Sequence, residues 1–242
     1  MKGITRRQSL RYLLQGAAGL ALSSSTLNAL AAMATKDEKS ALIVVDVQNC
    51  FIDSGTLPVK NGAEVVPVIN QLSTQFLNVV MTQDWHTKEH ASFASTYDGK
   101  KPFETTELSY GTQVLWPDHC VQGTDDASLV AGLDIPHAEM IIRKGFHQHI
   151  DSYSAFYEAD HKTPTGLVGY LRERGIKNVY IAGLATDFCV AWTAVDAAKA
   201  GFKTAVIEDA CRAIDLNGSL QNAWKMMTEA GVKRLQSEDI IG

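Results

Sequence analysis

Five short runs along the chain are apolar almost throughout: SALIVVDV (Ser40–Val47), LNVVMTQDW (Leu77–Trp85), AEMIIRKG (Ala138–Gly145), NVYIAG (Asn178–Gly183) and KTAVIEDA (Lys203–Ala210). Their length and β-branched content predict strands buried on both faces, as in a parallel sheet. Between them, apolar positions recur with a helical period over roughly Val65–Gln75, Thr165–Arg174, Phe188–Ala200 and Leu220–Ala230. Gly175, Gly201 and Gly231 follow three of these helices and suit C-terminal caps. Alternating strand and helix predicts an α/β fold, a three-layer sandwich with a central, mainly parallel sheet. Such sheets bind ligands beyond the C-terminal ends of their strands. That edge is where polar residues collect: Asp46 at the end of the first run, Asp84 and His86 at the second, Lys144 at the third.

The first 34 residues break this pattern. A basic start with Arg6, Arg7 and Arg11 leads into a mild apolar run, Tyr12 to Leu22, and then to small-residue sites ending at Ala31 and Ala34. That is the layout of a secretory signal. The Arg6-Arg7 pair, between Thr5 and Leu10-Arg11, resembles a twin-arginine signal, which implies the export machinery of that name as a partner and a periplasmic mature chain. The run is too short and too mild for a stable membrane span. Residues 1–34 are therefore expected to be a signal, and 35–242 the single folded domain.

Charge narrows the possible partners. The whole chain carries a formal −5. Residues 1–34 hold Lys2, Arg6, Arg7 and Arg11 and no acid, so the chain without them stands at −9. An acidic domain argues against nucleic acid as a partner. Of the cysteines, Cys50, Cys120 and Cys211 suit ordinary buried positions, and their spacing indicates no disulfide framework, although an exported chain could pair them.

Candidate chemistry lies in three segments. QDWHTKEHASF (Gln83–Phe93) crowds Asp84, His86 and His90 into seven residues, and His119 follows in WPDHCVQG. Three imidazoles and a carboxylate suit one divalent ion, Zn²⁺ first, with Fe²⁺ or Mn²⁺ as alternatives. Four protein ligands would close a tetrahedral site, so a substrate could reach the ion only if its coordination expanded. The long interval from Trp85 to about Pro136 is expected to be a functional loop, and a metal tying its start to His119 would keep it ordered. In GLATDFCV (Gly183–Val190), Cys189 falls at a strand-to-helix junction. There a helix N-terminus is expected to lower the thiol pKa and supply N–H groups to an oxyanion. Asp46 could take the thiol proton and Lys144 balance the charge, although a structural ion pair would also explain those two.

Taken together, VVDVQNCF, QDWHTKEHASF, WPDHCVQG, IRKG…DSYSAF and GLATDFCV resemble the nicotinamidase (pyrazinamidase) branch of the isochorismatase-like cysteine hydrolases, from about Ser40 to the C-terminus. The resemblance implies the isochorismatase-like fold, with Asp46, Lys144 and Cys189 as catalytic triad and Asp84, His86, His90 and His119 as metal ligands. It implies Phe51, Trp116 and Tyr153 around the substrate ring, and a cis Leu184–Ala185 bond aiming the Ala185 N–H, with that of Cys189, at the oxyanion. The implied activity is metal-dependent hydrolysis of nicotinamide, and of pyrazinamide, through a Cys189 thioester. One departure is Cys50, where this branch usually has an acid between Asn and Phe. The alternatives are an amidase for another small amide, or a metal and thiol protein without catalysis; the latter leaves Asp46 and Lys144 unexplained.

Overall fold

The computed structural model describes residues 37–242. The signal expected at 1–34 lies outside the described residues. Each of the five apolar runs forms a strand: β1 (Ser40–Val45), β2 (Asn78–Asp84), β5 (Met140–Lys144), β6 (Asn178–Leu184) and β7 (Lys203–Arg212). A short β8 (Lys233–Leu235) completes one sheet in the order β5-β2-β1-β6-β7-β8, with every neighbouring pair parallel. The helices are α1 (Val65–Ser73), α2 (Leu167–Glu173), α3 (Ala191–Lys199), α4 (Ser219–Glu229) and a final turn α5 (Glu238–Ile241).

Period-two alternation survives inside the continuous apolar runs and sorts the core into two layers. Leu42, Val44, Tyr180 and Ile207 face α1 and α5, packing with Val65, Ile69, Leu72 and Ile240. Ala41, Ile43, Val45, Ile181 and Val206 face the other side, where α2, α3 and α4 contribute Leu171, Ala194, Val195 and Met227. A strand covered on both faces needs apolar residues at both parities, which is why these runs show no alternation in sequence. The three predicted cap glycines adopt left-handed φ of 72°, 93° and 81°.

Three features depart from the sequence expectation. The interval after Trp85 contains a hairpin, β3 (Thr105–Leu108) with β4 (Gly111–Val114), whose polar, half-exposed residues carry no strand signature. That interval is held by protein contacts. His86 bridges Val121, Phe93 bridges Trp116, and a Cys50–Cys120 disulfide ties it to the loop after β1. Finally, α3 begins at Ala191 because Thr186–Val190 forms one wider π-type turn, so Cys189 sits in that turn, ahead of the regular helix.

The sheet reverses its winding between β1 and β6. From β1 the chain moves outward through β2 and β5, then returns to place β6 on the other side of β1. The crevice at this switch point lies directly after Val45 and Leu184. Gly183, paired with Val45, has φ of 124°, and a Cβ there would lie 2.0 Å from the Val45 carbonyl oxygen. Only glycine permits that approach. Gly183→Ala is expected to destabilise the fold by roughly 3–5 kcal/mol. Denaturant unfolding checks this; a loss within about 0.5 kcal/mol would mean the pairing tolerates a side chain.

Candidate active site

The site is built where β1, β2, β5 and β6 end. Asp46 follows β1 with a left-handed φ of 47°. Thr82 of β2 fixes it twice: its hydroxyl accepts from the Asp46 N–H at 3.1 Å and donates to Asp46 Oδ1 at 2.5 Å. Asp84 closes β2, and Gln48 clasps its backbone, accepting from the Asp84 N–H at 2.8 Å and donating to its carbonyl at 2.9 Å. Lys144 closes β5, aligned with Asp84 in the sheet register.

Lys144 is completely buried and gathers the cluster. Its Nζ lies 2.8 Å from Asp46 Oδ2 and 2.5 Å from Asp84 Oδ1, and donates to the Ser152 carbonyl at 2.8 Å and to Cys189 Sγ at 3.3 Å. Burial pushes the ammonium toward the neutral form, but Asp46 and Asp84 outweigh it and hold Lys144 well above its ordinary value. Burial alone would neutralise Asp84 too; Lys144 and then His86 hold its carboxyl well below the usual range. Asp46 differs. Burial raises it above the usual carboxylate range despite Lys144, and Asp84 raises it further. Its Oδ2 also makes no hydrogen bond, although Lys144 is close, which leaves an acceptor for a proton.

The thiol corrects a sequence expectation. Burial pushes Cys189 well above its ordinary value; Lys144 opposes this, and the carboxylates of Asp46 and Asp84 reinforce it. The resting group is therefore a neutral thiol, where the helix-terminus argument expected a lowered pKa. A helix end acts in one direction, but two carboxylates within 4.8 Å of the sulfur act in the other. The Leu184–Ala185 peptide before this turn is cis.

Beside this cluster lie donors with the chemistry of a metal site. Asp84, His86 and His119 each present a ligand atom, all within 4.8 Å of one another. His86 donates from Nδ1 to the Gly145 carbonyl at 2.9 Å, and His119 from Nδ1 to that of Pro117 at 2.8 Å. Their Nε2 atoms face Asp84 Oδ2 from 3.6 and 3.8 Å, as N–H donors when the rings are protonated and as lone pairs for an ion when they are not. Histidines whose other nitrogen is held by a carbonyl are oriented as metal ligands are. A carboxylate and two imidazole nitrogens held toward one another offer three donor atoms to one cation. These residues fit a divalent ion.

The structure does not bring His90 into that group. The segment from His86 to His90 is not a helical turn, so the four-residue spacing does not align the rings. His90 Nδ1 accepts from the Ser92 N–H at 3.3 Å, which places the ring hydrogen on Nε2, where it faces the carbonyls of His147 and Ile150 at 3.1 and 3.2 Å. Burial and the neighbouring His86 push His90 down to about 4, so the ring is neutral, and its one lone pair, on Nδ1, is engaged by Ser92; its ligand atom groups with those of His86 and Asp151 instead. It packs 4.3 Å from the His86 ring, as support for a ligand.

A small cavity opens onto both groups. Phe51, Trp116 and Tyr153 line it with Asp84, His119 and Cys189. Trp116 Nε1 and Gln113 Nε2 both donate to the Tyr153 hydroxyl, at 3.0 and 3.1 Å. Phe188, Leu57 and Ile214 complete the wall, and sequence reasoning missed them. Phe188 was within reach, as the aromatic residue beside the nucleophile in GLATDFCV. Ile214 was not: it is placed by buried Asp187, which accepts from the N–H groups of Ile214 and Asp215 at 3.0 and 2.8 Å.

Comparison with known proteins agrees with this geometry. The model of the isochorismatase domain matches residues 40–239. A nicotinamidase of Acinetobacter baylyi is 62% identical over 201 residues, covering 83% of this chain and 94% of that one. The chain belongs to the isochorismatase family, within its nicotinamidase branch. Among solved structures of this family, a protein from L. infantum in complex with nicotinate is 38% identical, with a TM-score of 0.74, covering 85% of this chain and 96% of that one. A pyrazinamidase of Pyrococcus horikoshii in complex with zinc is 35% identical, with a TM-score of 0.67, over 82% and 99% of the two chains.

Gly145 ties the site to its scaffold. Its φ is 64°, and a Cβ would lie 2.5 Å from His86 Cε1. Gly145→Ala must displace the imidazole or the carbonyl that orients it. Affinity for a divalent ion is expected to fall by roughly 10–100-fold, as measured by chelator competition, with little change in far-UV dichroism. Unchanged affinity would remove His86 from the ligand set.

Proposed function

We propose that this protein is a metal-dependent cysteine amidase that hydrolyses nicotinamide to nicotinate and ammonia, and accepts pyrazinamide. The observation that carries the reading is the Cys189 thiol 3.3 Å from a buried Lys144, which bridges Asp46 and Asp84 next to the Nε2 atoms of His86 and His119. The family relationship and the relatives' names support the same substrate.

The chain's own residues account for each step. The cavity walls of Phe51, Trp116 and Tyr153 hold a flat ring and exclude water. Asp46 takes the thiol proton as Cys189 Sγ attacks the carboxamide carbon; Lys144 stays charged and stabilises the thiolate as it forms. The Ala185 and Cys189 N–H groups serve the oxyanion of the tetrahedral intermediate. Asp46 then gives its proton to the departing nitrogen, the C–N bond breaks, and ammonia leaves a thioester. Water, deprotonated by Asp46, attacks the thioester carbon; nicotinate departs and the thiol is restored. A divalent ion held by Asp84, His86 and His119, zinc in our reading, would supply a Lewis-acid contact for the pyridine nitrogen.

Purified protein is expected to release ammonia from nicotinamide, and to lose that activity with a strong chelator. Cys189→Ala should abolish turnover while leaving bound metal unchanged. Benzamide has the ring but no ring nitrogen, and a ligand bond worth several kcal/mol makes it a poorer substrate by roughly a hundredfold or more. Near wild-type turnover by Cys189→Ala would end the thioester mechanism, and equal rates on the two amides would end the role given to the metal.

We further propose that residues 1–34 direct export by the twin-arginine route, placing the enzyme in the periplasm. The Arg6-Arg7 pattern supports this, and so does a disulfide in the folded domain, which favours an oxidising compartment. A reporter fused after Ala34 should reach the periplasm, and Arg6→Lys with Arg7→Lys should hold it in the cytoplasm. Export of the double-lysine protein would refute the route.

A further inference from the structure

The Cys50–Cys120 disulfide is flanked on both sides by the site. Cys50 precedes Phe51, a cavity wall, and Cys120 follows His119, a donor of the metal cluster. The Phe51 and His119 rings pack against each other with centroids 5.7 Å apart. Cys50-Phe51 and His119-Cys120 thus form a closed loop, covalent at one end and aromatic at the other. The backbone of each half-cystine is also committed to the site. The Cys120 carbonyl accepts the His86 N–H at 3.0 Å, and the Cys50 carbonyl accepts the N–H of Leu57, another wall residue, at 3.0 Å. Asp126 Oδ2 accepts from the Cys120 N–H at 2.9 Å and the Thr56 hydroxyl at 2.8 Å, closing the same two loops from outside. Among the described residues no pairing of named strands joins these segments, whose cysteines lie 70 residues apart in the chain; beside them Gln48 bridges Leu129 and the Asn49 N–H donates to the Ser128 carbonyl.

We propose that the Cys50–Cys120 disulfide is a positioning element for the metal and ring-binding half of the site, so that nicotinamide hydrolysis depends on oxidation of this thiol pair. The inference rests on the metal-dependent amidase reading above. Its chemistry is thiol–disulfide exchange. Cys50–SH and Cys120–SH react with an external disulfide R–S–S–R; the intramolecular S–S bond forms, the external one breaks, and the two thiol hydrogens leave on two R–SH. An excess of reductant reverses this. With the link open, His119 and Phe51 keep their ring contact and the hydrogen bonds through Asp126, but their spacing and the Cys120 carbonyl that accepts the His86 N–H lose the covalent constraint.

The test uses the full chain, loaded with zinc, before and after reduction by a phosphine and after reoxidation with oxidised glutathione. Denaturing alkylation should label only Cys189 and Cys211 before reduction and all four cysteines after it. Reduction should weaken zinc binding by about tenfold or more, by chelator competition, in line with other groups that orient ligands. It should also raise KM for nicotinamide severalfold, and reoxidation should restore both. Cys50→Ser should match the reduced protein and ignore the reductant, whereas Cys211→Ser should respond as the unmodified chain does. Reduced protein with zinc affinity and KM within twofold of the oxidised form, and only a lower thermal midpoint, would make the disulfide a plain staple and overturn the proposal. Labelling of all four cysteines without reduction would overturn it as well. Oxidised protein that neither binds zinc nor hydrolyses nicotinamide would overturn the amidase reading itself, a result distinct from the other two.

Discussion

A buried ammonium organises this molecule. Lys144 has no access to solvent, and a lone charge so placed is tolerated only when paired. It is paired twice, by carboxylates at the ends of two other strands, Asp46 after β1 and Asp84 on β2. This fixes how far each strand runs before it stops, because the three side chains must meet within hydrogen-bond distance. It also divides the labour between the acids. Asp84 is drawn fully into its ionised form and serves the cation cluster, while Asp46, higher in pKa and with one oxygen unbonded, is free to exchange a proton with the thiol. One lysine thus lets two neighbouring carboxylates hold different roles.

The fold was legible wherever burial on both faces left a continuous apolar run. Each of the five predicted runs is a strand, with ends displaced by a few residues. The hairpin Thr105–Val114 and the strand Lys233–Leu235 were not legible, since both are polar and largely exposed and take their conformation from pairing alone. The placement of the acid, lysine and thiol at strand ends was legible, and so was the meeting of Asp84, His86 and His119. What escaped was set by three-dimensional surroundings. The tautomer of His90 depends on Ser92 and on carbonyls some sixty residues away. The pKa of Cys189 depends on carboxylates from two other strands. The Cys50–Cys120 pairing joins loops that only the closed sheet brings together.

Glycine carries part of the specification that the polar residues cannot. At Gly183 the backbone of β6 approaches Val45 too closely for any Cβ, and at Gly145 the same is true of β5 and the His86 ring. Gly183 lies at the switch point between β1 and β6, and Gly145 at the end of the edge strand β5. The close approach at Gly183 brings the ends of β1 and β6, with Asp46 and the Cys189 turn, into mutual reach.

The two halves of the site are secured by different physics. The catalytic half is held by ion pairs and strand register, which form together with the sheet. The half that contains Phe51 and His119 sits on loops outside the sheet, where Cys50, Phe51, Trp116 and Cys120 share an apolar cluster but no strand register sets their spacing. Loops of this kind need a local closure, and this chain has a covalent one between Cys50 and Cys120. A carboxylate could bridge two loops only by hydrogen bonds, which rearrange when a loop moves; a disulfide keeps the same spacing until it is reduced. Placing the link between a wall residue and a ligand residue makes ring position and ligand position one variable. Such a link is durable only where no thiol buffer reduces it.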